Sequence, residues 1–220
     1  SWELMVERLN SDLANILGNL VNRTISMSNK YFDGVVRNAG VTEDVDADLK
    51  AVVLDEVKKI NDKMDQLRVA DAITEIFNIF RRCNKYIDET MPWALAKDEA
   101  KKDRLATVLY NLVEAITIGA SLLEAFMPET SDKILSQLQT EKRELSAMDQ
   151  FGLYPDGGKV TDKPEILFAR MDINEVMEKV EAMRAAEAPK EEKKEEPEEA
   201  VIDIEAKPEI TYDDFAKLQF

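Results

Sequence analysis

Apolar residues recur at helical spacing through most of this chain. In the first window Leu4, Leu9, Leu13, Leu17, Leu20 and Val21 fall near one face, the signature of an amphipathic helix. A polar, glycine-bearing stretch from Ser28 to Gly34 then predicts a break that runs to Gly40. A second stripe, Leu49, Val53, Val57, Ile60, Met64 and Leu67, advances in steps of three and four, with Thr42 and Asp46 as candidate N-caps. The third stripe, Val69, Ile73, Ile76, Phe77, Phe80 and Ile87, stops at Pro92, because proline disfavours helical backbone in the residue before it. The fourth follows Lys101 with Leu105, Val108, Leu112, Ile116, Leu123 and Phe126, and Pro128 closes it. Ile134, Leu135 and Leu138 mark a shorter amphipathic piece. Gly152 to Gly158 (GLYPDGG) is turn chemistry. Ile166-Leu167-Phe168 is a short apolar run expected to pack across the bundle, and Asn174 is expected to start a last helix. Four long helices with short connections imply an all-α, antiparallel helical bundle.

Composition narrows the chemistry. The chain has 220 residues, no histidine, one cysteine (Cys83) and seven glycines. A disulfide framework, a multi-cysteine zinc site and any histidine-based active site are excluded. Charge is uneven: of the net −16, Asp172 to Phe220 carries 16 acidic and 7 basic residues. The densest part, EAPKEEKKEEPEE from Glu187 to Glu199, has too little apolar surface to offset its ordering entropy and is expected to be a solvated linker. The apolar content that returns from Ile202 onward suggests the start of a second domain. No apolar run approaches the length of a membrane span and no signal core opens the chain, so a cytoplasmic protein is expected. The absence of Met at position 1 suggests a piece of a longer protein.

Two groups of residues stand out as binding candidates. Asn15, Asn19 and Arg23 are spaced four apart on one helix. Asparagine is a mediocre helix former. Amides offer paired donors and acceptors to base edges, and arginine offers a rigid donor fork. The plainer reading is a set of polar contacts to a neighbouring loop or water. Pro92-Trp93, directly after the third helix, is a stiff platform on which a base can stack, or a plug for the end of the bundle. In an up-down bundle helices one and three run the same way, so Arg23 and Trp93 share one end. Arg81, Arg82, Lys85 and Lys97 bracket Trp93 in sequence and offer a local positive surface. Asp44, Asp46 and Asp48 fail the EF-hand pattern, because Leu49 and Asp55 stand where its glycine and glutamate are needed. Those carboxylates, with Asp62 and Asp65, read as a solvated face or caps. Cys83 has no histidine to activate it and reads as structural.

Several segments together resemble the anticodon-binding domain of methionyl-tRNA synthetases. The first helix (LVERLN is here LMVERLN, then SDLANILGNLVNRTISM), NKYFDG (Asn29 to Gly34), YIDETMPWALAKD (Tyr86 to Asp98) and LFARMD (Leu167 to Asp172) are similar to that family's motifs, although Ala169 stands where proline is usual. EITYDDFAKL (Glu209 to Leu218) resembles the start of an appended OB-type tRNA-binding domain. The resemblance implies a helical anticodon-binding domain over residues 1–172. A terminal helix and acidic linker would follow over 173–208, and a truncated C-terminal domain over 209–220. It implies that Asn19 and Arg23 contact anticodon bases and that Pro92 and Trp93 carry the first anticodon base of CAU, with Asn15 and Lys97 as further contacts. The implied parent enzyme joins methionine to its tRNA with ATP and magnesium. Its implied partners are methionine tRNA, its own catalytic domain and a second copy through the missing C-terminal domain. The family's histidine-containing ATP motif and Lys-Met-Ser-Lys-Ser loop are absent, so no catalytic residue, metal or cofactor is expected in this piece. A helical interaction protein with an acidic docking tail is the competing reading. The corresponding domain of another class I ligase is a third, separable by anticodon preference.

Overall fold

The computed structural model describes residues 2–187. It divides into a large unit, residues 1–179, and a second unit from Val180 onward. The acidic linker beyond Glu187 and the segment 209–220 lie outside the described residues.

From Trp2 to Phe32 the backbone is one continuous helix in three parts: α1 (Trp2–Arg8), a π-type stretch (Leu9–Gly18) and α2 (Asn19–Phe32). Arg8, Gly18 and Asn19 keep right-handed helical dihedrals, so the joints are changes of winding and not breaks. Ser28 to Phe32, expected in the break, instead form the last turn of α2, where buried Ser28 donates to the Thr24 carbonyl. The break comes at Asp33 (φ 52°) and Gly34 (φ 81°), both left-handed. A Cβ at Gly34 would lie 2.7 Å from Asn29 Oδ1, so glycine is required there. That amide donates to the Thr161 carbonyl at 2.8 Å. Beside it β1 (Val35–Val36) pairs antiparallel with β2 (Gly158–Lys159).

The remaining elements are α3 (Asp44–Asp65), α4 (Val69–Thr90), α5 (Pro92–Leu95), a 3-10 turn (Glu99–Lys101), α6 (Lys102–Leu123), α7 (Pro128–Gln137), a second 3-10 turn (Leu145–Ala147) and α8 (Ile173–Glu187). The fold is all-α, as the periodicity implied. Glu43, and neither Thr42 nor Asp46, is the residue at the start of α3; its N–H donates to the Asp46 carboxylate at 3.0 Å. The α3 stripe is buried as far as Ile60, whereas Met64 and Leu67 are exposed. Leu67 belongs to the left-handed turn (φ 57°) between α3 and α4, at the rim of the bundle.

Helix α6 departs from a simple stripe: every residue from Arg104 to Leu123 is buried. With the preceding turn, Glu99–Leu123 is long and apolar enough to cross a membrane, but 94% of its apolar window is buried inside the protein. It is the central core helix, surrounded by apolar faces of α2, α3, α4 and α7. Two buried ion pairs lock it. Arg104 forks onto Asp46 at 2.6 and 2.9 Å, and the Tyr86 hydroxyl donates to Asp46 at 2.6 Å. Arg143 forks onto Glu114 at 2.6 and 3.0 Å, and the Tyr154 N–H donates to the same carboxylate. The first cluster joins the start of α3, the end of α4 and the start of α6. Neighbours in sequence therefore run antiparallel.

Candidate nucleic-acid interface

Asn19 and Arg23 are exposed, one turn apart on α2. Asn15 lies in the π-type stretch and is also exposed, but its Oδ1 accepts from Arg170 Nη2 at 2.6 Å. The carbonyl half of its amide is thus committed within the protein, the loop contact that the plainer reading expected. The two remaining members of the ladder make no side-chain hydrogen bond among the described residues.

The Pro-Trp turn is sharp. Met91 adopts left-handed dihedrals (φ 45°, ψ 66°), and its carbonyl accepts from the N–H groups of Ala94 and Leu95. The left-handed conformation meets the demand that the residue before proline leave the right-handed helical region. It ends α4 and starts α5 within one residue. Pro92 occupies the first turn of α5, where its missing N–H costs nothing. Pro92 is buried, while Trp93 is 42% exposed and Met91 is 48% exposed. Part of the Trp93 indole is therefore an accessible apolar surface, so a plug reading accounts for no more than its covered part.

The C-terminal end of α2 lies beside the segment that follows the Pro-Trp turn. Lys30, Tyr31 and Phe32 of α2 line a cleft of ≈ 170 Å³ with Leu95, Ala96 and Asp98 just past Trp93. Arg23 lies eight residues before Tyr31, roughly 12 Å back along the helix. Among the described residues no hydrogen bond links Asn19 or Arg23 to α5.

The expected positive surface around Trp93 is largely cancelled. Arg81 faces Asp12 at 3.4 Å and Asn78, while Arg82 and Lys85 both pair with Glu89, at 2.8 and 3.7 Å. Of the four cations only Lys97 makes no ion pair among the described residues. Cys83 is fully buried and its thiol is pushed up to about 12 by burial, which makes it inert. Asp46, one of the imagined calcium ligands, is taken by Arg104. Burial opposes its ionisation, yet Arg104 and Tyr86 hold its carboxyl below the ordinary value. Sequence reasoning overlooked Asn10 and Gly18, inside the π-type stretch, and Asn84 and Arg170, which bond to it from outside.

Residues 36–188 match the family described as the anticodon binding domain of methionyl tRNA ligase. A methionine–tRNA ligase of Clostridium perfringens is 40% identical over 216 residues, 98% of this chain and 32% of the relative. One of Caldanaerobacter subterraneus is 45% identical over 182 residues, 82% of this chain and 28% of the relative. The apo crystal structure of Mycobacterium tuberculosis methionyl-tRNA synthetase superposes with a TM-score of 0.72 at 34% identity, covering 78% of this chain and 35% of that one. The chain spans about a third of the length of the curated relatives it matches. The family match begins after α2, so it contains Trp93 but not Asn19 or Arg23, whereas the Clostridium alignment spans nearly the whole chain. By its sequence, over more than half its length, and by its fold, the chain belongs to the anticodon-binding domain family of methionyl-tRNA ligases.

Proposed function

We propose that this chain reads the CAU anticodon of methionine tRNA as one part of a longer methionine–tRNA ligase. The observation that carries the reading is the exposed indole of Trp93, mounted on a buried proline at the bundle end toward which α2 runs. The first anticodon base stacks on Trp93, and base–aromatic stacking contributes about 1–3 kcal/mol per base. Asn19 and Arg23 supply hydrogen bonds to base edges, which carry the discrimination. Lys97 is placed to meet a phosphate. Asn15, with its amide nitrogen still available, is a weaker contributor.

In the parent protein the aminoacylation chemistry, with ATP and magnesium, belongs to the part outside this chain. That part is also this chain's covalent partner, and a second copy joins through the C-terminal domain that begins after the acidic linker. Anticodon binding then commits the correct tRNA to a distant catalytic centre.

Fluorescence tests the reading. A Trp2→Phe version leaves Trp93 as the sole indole and is titrated, at one stated salt concentration, with a CAU anticodon stem-loop and with one changed at the first base. Strong quenching by the first and much weaker quenching by the second is expected. Equal quenching by both reduces the role to general RNA contact, and no response to either favours an interaction protein.

A further inference from the structure

Ten residues of π-type winding precede the exposed ladder on α2. Such winding is rare beyond a single turn. Each wide turn takes roughly one residue more than an α turn, so across Leu9–Gly18 the helix faces shift by about two residues, roughly half a turn. Whether this stretch is wound wide or as α therefore decides which way Asn19 and Arg23 point relative to α1. Something must hold the wide form.

The structure supplies holders on two sides. From α4, Asn84 donates its side-chain amide to the Ile16 carbonyl at 3.2 Å, and Arg81 faces Asp12. From the closing segment the grip is denser. Asn10 makes a paired bond to the Met171 backbone, donating to its carbonyl and accepting from its N–H, each at 2.8 Å. Arg170 reaches Asn15 at 2.6 Å. Phe168 lies against Gly18, where an added Cβ would be 3.6 Å from its ring and 3.3 Å from the Leu13 carbonyl. Three consecutive contacts thus run along the stretch from its first turn to its last.

We infer that the closing segment Phe168–Met171 is a clasp that fixes the π-type winding and so sets the orientation of Asn19 and Arg23. Asn10 and Arg170 are positioning residues that touch no base. The proposal rests on the anticodon reading given above. It predicts that loosening the clasp lowers discrimination between anticodons more than it lowers general RNA affinity.

The test uses the full chain with Arg170→Ala and, separately, Asn10→Ala. Binding of CAU and first-base-changed stem-loops is measured across a range of salt, alongside hydrogen exchange over residues 9–23. Both variants are expected to reduce the ratio of the two affinities at least about fivefold, the lower edge of ordinary coupling between sites. Exchange in 9–23 should speed up while that of the buried α6 amides does not. The salt slope should stay as in the parent chain. An unchanged ratio with a slope shallower by about 0.7 for Arg170→Ala would make Arg170 a phosphate contact and overturn the clasp. An unchanged ratio and slope in both variants also overturns it. If instead the unaltered chain does not discriminate, the anticodon reading itself fails and the proposal goes with it.

Discussion

At the scale of single residues, the most unusual group is Glu56. It sits on α3 facing α4 and is 6% exposed, and among the described residues no N–H or hydroxyl donates to its Oε2. Burial raises its pKa first, and the carboxyl of Glu75 opposite raises it further; Lys59, 3.5 Å away but also bound to Asp55, only partly offsets this. The net result is a carboxyl pushed up to about 7. Glu75 moves the other way, below its ordinary value, because it accepts from the proton held by Glu56 and from Asn78. The folded chain therefore holds a proton on the pair between pH 4.5 and about 7 that the unfolded chain releases. Stability falls as pH rises through that window and levels off above it. The contribution of Glu75, and that of Asp46, lies lower and is lost only as pH falls below the ordinary carboxylate range. Glu56→Gln should consequently flatten the pH dependence between 5 and 7.5 and stabilise the protein at the upper end, by an amount on the order of 1–3 kcal/mol. Urea midpoints at several pH values check this, and parallel curves for the two proteins would refute it.

At the scale of elements, the sequence disclosed what is local and hid what is distant. The α2 and α5 candidates were legible because an Asn/Arg spacing and a Pro-Trp dipeptide are written in a few adjacent residues. The pins between helices were not, since Arg104 is separated from Asp46 by 58 positions and Arg143 from Glu114 by 29. On a pattern of apolar spacing those four charges look like surface. The winding of the first helix was hidden for a related reason: it depends on Asn10, Asn15 and Gly18 meeting residues near the far end of the domain. The Asp46–Arg104 pin ties α3, α4 and α6 at the end that carries Trp93, and both charges are almost fully buried. Arg104→Met removes the cation and strands the carboxylate, which typically costs about 3–5 kcal/mol. Replacing both members, Asp46→Leu with Arg104→Met, removes the stranded charge and should recover much of that loss. Thermal or urea unfolding of the single and double variants decides it: a double variant no more stable than Arg104→Met would show that shape, and not the unpaired charge, dominates the site.

At the scale of the whole molecule, a chain of net charge −16 is proposed to bind an anion. Affinity for RNA ordinarily comes from phosphate neutralisation and falls steeply with salt. Here Arg81, Arg82 and Lys85 are engaged by Asp12 and Glu89, which leaves Lys97 and the exposed Lys30 near the Pro-Trp turn, with the exposed Arg23 farther back along α2. Even these are qualified, since the Lys30 ammonium lies 5.4 Å from the Tyr31 ring centre. Acid elsewhere on the molecule acts only within a Debye length, about 8–10 Å at ordinary ionic strength, so it weakens approach without blocking a short-range contact. Affinity in this arrangement comes from stacking and base-edge hydrogen bonds, which salt screens little, and it is modest because the phosphate contribution is small. The expected slope of log K against log salt is therefore shallow, no steeper than about −2, from two or three phosphates at roughly 0.7 each. Titration of the CAU stem-loop between low and moderate salt measures it directly. A slope of −5 or steeper would mean that the RNA tracks a basic surface remote from Trp93, and the site would have to be sought elsewhere on the bundle.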